Sequence, residues 1–150
     1  MGQTVCFIGH RDVEETAELR ARVHEVVGDL IAAGAVDFIF GDHSAFDHLC
    51  YAVVSELKEQ HPAIRRIHFR RDYEDADAYT MRFLLAGYEE SVCPKGVGRA
   101  GRASYVERNR AMVAASDVCV FYCDTTRAGG TTLAYAYAEK IGKPIINLAG

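Results

Sequence analysis

The feature that most narrows what this chain can fold into is a repeated change of hydrophobic period. Short apolar runs of strand length alternate with longer segments whose apolar residues recur three and four apart. Thr4 to Ile8 is the first run, Val36 to Phe40 the second, Ile64 to Phe69 a third, Val118 to Tyr122 the strongest and Ile145 to Leu148 the last. Between the first two, Leu19, Val23, Val26, Val27, Leu30 and Ile31 keep helical spacing. Asp12 with Glu15 supplies a cap signal ahead of that helix, and Gly34 a stop behind it. Ser44 can cap a second helix with the stripe Ala45, Leu49, Ala52, Val53 and Leu57, which His61-Pro62 breaks. Apolar strands separated by amphipathic helices form a mostly parallel sheet of about five strands with helices on both faces.

The rest of the chain fits the same α/β plan with weaker signals. Arg65, Arg66 and His68 interrupt the third run, which predicts a half-exposed or edge strand. A polar stretch from Arg70 to Asp77 leads into a helix through Met81, Leu84, Leu85 and Tyr88. Val92 to Ala103 has glycines, cations and no apolar period, so a mobile surface loop is expected. Ser104 and Glu107 form a capping box that opens a helix through Met112 and Val113, and Thr131 to Ile141 is the last helix. With 150 residues and no repeat or linker, a single three-layer domain over residues 1–150 is expected.

Charge and motif content then exclude several functions. Seventeen Lys and Arg against 21 Asp and Glu leave a net charge of −4, so any basic site is local, and neither nucleic acid nor an anionic membrane is the expected partner. No apolar stretch reaches the roughly 20 residues of a membrane span, and the first residues lack the pattern of an export signal. A soluble, cytoplasmic protein is the expectation. The five cysteines are odd in number and lack a CxxC pair, which predicts reduced thiols and no structural zinc. Asp42, His43, Asp47 and His48 do not have the spacing of a metal site, and no metal is expected. Neither a Walker A lysine nor GxGxxG is present, so no dinucleotide or other cofactor is expected.

In an open α/β sheet, ligands bind outside the carboxyl ends of the strands, where loop N–H groups and helix N-termini converge. The first strand is followed by Gly9-His10-Arg11 and the second by Gly41 to Asp47. The strongest strand leads through Asp124 to Gly129-Gly130-Thr131-Thr132 at the start of a helix. The last segment offers backbone donors, two hydroxyls and a positive helix end to a phosphate, or it is a tight turn with a threonine cap. Arg11 can clamp a phosphate or carboxylate, with His10 as hydrogen-bond partner or acid/base, and Asp47 can serve as cap or ribose-binding carboxylate.

These segments, together with Arg108-Asn109-Arg110-Ala111-Met112-Val113 running into Ser116-Asp117, and with Tyr137-Ala138, carry a family likeness. The chain resembles the SLOG superfamily of DprA-like and LOG-like Rossmannoid proteins over nearly its whole length, and within it the YpsA-like branch. The resemblance implies a Rossmann-like sheet and a site for nucleotides or nucleotide-derived ligands. Carried over, it implies ligand contacts from Gly9, Arg11, Arg108, Asn109, Gly129, Gly130 and Thr131. Two departures stand out. His43 and Ala45 replace a small residue and a glycine of the second motif. The glutamate that serves glycosidic cleavage in LOG-type phosphoribohydrolases has no counterpart before Glu139.

Three functional readings follow. The first is a sensor or regulatory module that binds a nucleotide or related phosphate ligand without turnover. The second is an N-glycosidase acting on nucleoside monophosphates, with Asp47, Asp124 or Glu139 as acid or base. The third is an interaction subunit whose Val92 to Ala103 segment, with Lys95, Arg99, Arg102 and the adjoining Tyr105, docks an acidic partner or single-stranded nucleic acid. Pairing into a homodimer is compatible with all three, although no helix shows a clear exposed apolar stripe.

Overall fold

Strand β1 (Gln3–Gly9) is buried from Val5 to Ile8, as a strand covered on both faces must be. In the computed structural model it lies at the centre of one sheet. The structure describes residues 2–41, 44–71 and 76–149, and their side chains except those of Arg99 and Arg102. On one side β1 pairs with β2 (Ala35–Phe40), and on the other with β5 (Val118–Tyr122). Outward from these lie β3 (Arg65–Phe69), β4 (Glu90–Val92) and β6 (Ile145–Asn147), in the order β4-β3-β2-β1-β5-β6. Every pairing is parallel.

Successive residues of a strand point to opposite faces, so β1 feeds two cores. Val5 and Phe7 join the core under α1 (Ala17–Ala32) and α2 (Ala45–Lys58), where Phe7 stacks on Phe38 and Phe40. Cys6 and Ile8 join the core under α4 (Ser104–Ala115) and α5 (Gly130–Lys140), beside Met112, Phe121 and Ala138. The helices therefore change face where the strand order turns between β1 and β5. That turning point is where an open α/β sheet leaves a crevice. Among the described residues no helix is long and apolar enough to cross a membrane.

Several expectations need correction. Among the described residues the sheet has six strands rather than five: the three-residue β4 is too short to show a period in sequence, and it makes β3 the second strand from the edge. The arginines of β3 are tolerated there because carboxylates flank them. Arg65 reaches Asp37 on β2 and Glu90 on β4, while Arg66 makes a two-pronged pair with Glu89. Helix α1 starts five residues beyond Asp12, at Ala17, with the Thr16 hydroxyl accepting from Leu19 N–H as its cap. Helix α3 (Ala78–Leu84) ends before Tyr88, where Gly87 turns the chain at φ +81°.

The capping box at Ser104 does not form. Ser104 lies inside α4, its cap Ala103 has no side-chain bond, and its hydroxyl instead accepts from Arg71 at 2.9 Å. The segment expected as a mobile loop contains two short 3₁₀ turns, Val97–Arg99 and Gly101–Ala103, and is anchored by the buried Val97. None of the five cysteines is in a disulfide, and four are buried.

Candidate functional site

Four chain segments meet at the crevice between β1 and β5. The first is the end of β1. Gly9 allows α2 to close on the strand, since a Cβ there would lie 2.5 Å from the Phe46 ring. His10 follows, 7% exposed, and its Nε2 accepts from Asp124 N–H at 2.8 Å. A backbone N–H can only donate, so the His10 proton sits on Nδ1. Burial, and then the charge of Arg127, hold His10 below its ordinary value, which keeps the ring neutral. Arg11 is exposed and carries its guanidinium 5.2 Å from the centre of the Tyr105 ring.

The second segment is the start of α4, whose first turns bury Ser104, Arg108 and Asn109. Arg108 donates to the Asn109 side-chain oxygen at 3.1 Å. Gly41, at the end of β2, leaves the room this guanidinium needs, because a Cβ there would stand 3.1 Å from Arg108 Cζ. Tyr105 lies one turn earlier and is the hub of the cluster. Arg71 lies over its ring at 3.5 Å and donates to its hydroxyl, and Arg108 lies 5.7 Å from the ring centre. Three guanidinium groups thus gather around one aromatic ring.

The third segment is the start of α5. Gly129 has φ +146° and ψ −174°, a conformation nearly confined to glycine, and open space lies where its Cβ would be. Helix N-termini leave their first N–H groups without intrahelical partners, and here those groups belong to the exposed Gly130 and its neighbours. No threonine caps the helix. Thr132 turns its hydroxyl to the Arg127 carbonyl and toward Cys123. The fourth segment is the start of α2, where Ser44 caps Asp47 N–H at 3.0 Å and the Asp47 side chain is buried.

These segments enclose a cavity of about 700 Å³. The expected ligand-binding positions line it except Asp124 and Thr132, whereas Glu139 and Lys95 do not. Asp124 lies in an adjoining cavity of about 450 Å³ with His10 and Asn147, and its Oδ1 accepts from the amide and hydroxyl of Thr126. Those two bonds hold its carboxyl below the usual range and make it a turn former. Asp12 and Arg127 pair at 3.1 Å and line both cavities. Glu139 is exposed on the last turn of α5, about 14 Å along the helix axis from Gly130. Asp42 and His43 lie outside the described residues. Among those described, no group of three His, Cys, Asp or Glu side chains is placed to hold a metal.

Sequence reasoning missed Arg71 and Arg127 and placed Tyr105 with the basic loop. Arg71 stands in a polar stretch that matches no motif, so only the fold brings it to α4. Arg127 lay within a loop already singled out, and its pairing with Asp12 across the crevice had no local signal.

No protein-family model matches the chain, and no curated protein matches it. Solved structures do. DNA processing protein A from Helicobacter pylori, described for its single-stranded DNA binding mode, aligns at a TM-score of 0.59 with 20% identity over 95% of this chain. The chain spans 63% of that protein's length. The molybdenum cofactor carrier protein from Chlamydomonas reinhardtii aligns at 0.59 with 16% identity, over 95% of this chain and 74% of the carrier. A second structure of that carrier aligns at 0.58 with 14% identity, over 99% of this chain and 76% of the carrier. The shared feature is a Rossmann-like α/β fold.

Proposed function

We propose that this chain is a binding module of the YpsA-like SLOG type, which takes a nucleotide or nucleotide-derived phosphate ligand in the β1/β5 crevice and acts as a sensor or regulator. The observation that carries this reading is the gathering of Arg11, Arg71 and Arg108 around Tyr105, in the same cavity as the N-terminus of α5. Planar guanidinium groups grip phosphate oxygens in pairs, and the helix end adds unpaired donors and a partial positive charge. His10, neutral with its proton on Nδ1, contributes a donor rather than a base.

Binding fits the chemistry better than turnover. Glu139 is at the far end of α5, and the carboxylate of Asp124 is engaged in its own turn. Of the three candidate acid or base residues only Asp47 lines the main cavity, where Asp12 is paired with Arg127. A thermal-shift panel of nucleotides and sugar phosphates tests the proposal. A ligand at a hundred times its Kd adds about 2.7 kcal/mol of stability. The gain should shrink in Arg11→Ala, whose side chain is exposed. No stabilisation by any member of the panel would refute it. Release of free base on prolonged incubation, read by chromatography, would move the assignment to an N-glycosidase.

A second reading is favoured by one comparison. DNA processing protein A is described as binding single-stranded DNA. The same guanidinium cluster would meet successive phosphates of a strand. Oligonucleotide binding that weakens steeply with salt, and competes with mononucleotides, is the outcome that would support it.

A further inference from the structure

A smaller cavity of about 210 Å³ opens beside the arginine cluster and shares Gly41 and Asp47 with it. Its walls are aromatic, formed by Phe40 at the end of β2, Tyr51 on α2 and Tyr88 just before β4. The Tyr51 and Tyr88 rings lie 5.1 Å apart, Tyr51 meets Phe40 edge-on, and Tyr88 stacks on His68. Both tyrosines are half-buried and line the open space.

The slot has a framework of its own. The Tyr51 hydroxyl donates to the Gly87 carbonyl, which ties the turn carrying Ala86 and Tyr88 to α2. Gly87 is required there, since a Cβ would lie 2.6 Å from the Tyr51 oxygen and φ is +81°. Burial pushes the Tyr88 hydroxyl up to about 12, so it remains protonated and able to donate.

We propose that this slot receives the heteroaromatic base of a nucleoside phosphate whose phosphate lies among Arg11, Arg71 and Arg108, with Asp47 at the junction accepting from the ribose hydroxyls. The inference rests on the phosphate-site reading above and extends it. The chemistry of a nucleotide changes from anionic to hydroxylic to flat and aromatic along its length. The two cavities change in the same order, from guanidinium groups through one buried carboxylate to tyrosine rings. A slot of this size holds one ring system, and its walls favour stacking. A sugar phosphate without a base would leave it empty.

Isothermal titration of the full chain with ribose 5-phosphate and with the four common nucleoside 5′-monophosphates tests the assignment. At least one nucleotide should bind tenfold or more tightly than ribose 5-phosphate. Ala86→Leu, at an exposed position on the slot wall, should bring that nucleotide down to the affinity of ribose 5-phosphate and leave the sugar phosphate unchanged. His48→Trp, exposed on the α2 side of the slot, should do the same and provides an independent check on folding. Arg11→Ala should weaken both ligands. Equal affinity for nucleotide and ribose 5-phosphate, or a nucleotide preference that survives both slot variants, overturns the slot and leaves the phosphate site standing. No binding of any of these compounds overturns both together.

Discussion

Helices α2 and α4 start at the same edge of the sheet, one on each face, yet they bury opposite chemistry. Helix α2 is held by its own cap at Ser44 and buries Phe46, Leu49, Cys50, Val53, Val54 and Leu57, with Asp47 as its polar exception. Helix α4 has no side-chain cap and buries Ser104, Arg108 and Asn109 before its first buried apolar residues, Met112 and Val113. A helix start that is satisfied locally and packed with apolar groups serves stability. One that buries a guanidinium and relies on an arginine from elsewhere spends stability on recognition. Under the proposed function, the two helices separate the work of holding the sheet from the work of meeting a ligand.

The largest expected effect tests the packing side of this contrast. Phe46→Ala should lower unfolding free energy by about 3–5 kcal/mol in urea denaturation, since the ring is fully buried against Gly9 and near Tyr122. A loss below about 1 kcal/mol would break the comparison. Next comes the recognition side. Arg108→Ala should reduce affinity for a phosphate ligand by about 10–100-fold in titration calorimetry, the range for a lost hydrogen bond to a charged group. Its stability cost should be smaller than that of Phe46→Ala. Equal losses of stability would show that α4 is a packing helix after all.

Gly9→Ala should cost about 1–3 kcal/mol in the same urea measurement, because its Cβ would enter the Phe46 ring. The double variant with Phe46→Ala should cost less than the sum, and additivity would deny the contact. The smallest effect is a pH dependence. His10 is held below its ordinary value of 6.5 in the folded protein, so the unfolded chain takes up its proton first as pH falls. This contribution to stability is present above pH 6.5 and declines below it. His10→Gln should flatten the fall of the urea midpoint between about pH 6.5 and 5, and an unchanged slope would remove His10 from the account.

How legible all this is in sequence depends on whether a signal is local. Strand β5 reads directly from five consecutive apolar residues, and α2 reads from its stripe and cap. Strand β4 does not, since its three residues are held by pairing to Ile67, His68 and Phe69 rather than by a period of their own. The cap of α4 misreads because Ser104 has a competing partner, Arg71, that lies 33 positions away in sequence. Within the candidate site, the glycine turns and the Arg108-Asn109 pair are visible as motifs. Gly9 and Gly41 line the cavity, and their missing Cβ atoms also make room for Phe46 and Arg108. Such facing partners are set by the sheet order, and no window of sequence contains them.

The hydrogen bond from Asp124 to His10 joins residues 114 positions apart. The two banks of the crevice are therefore distant in the chain, and they meet only when β5 has docked beside β1. Closing so long a loop costs entropy that the β1/β5 pairing and its two cores must offset. A nascent chain that has emerged only as far as α3 can pair β1, β2 and β3, yet it has no crevice and no arginine cluster. Under the proposed function, a ligand in the crevice would meet only the sheet in which β5 has joined β1, and would trap that topology rather than template an early one.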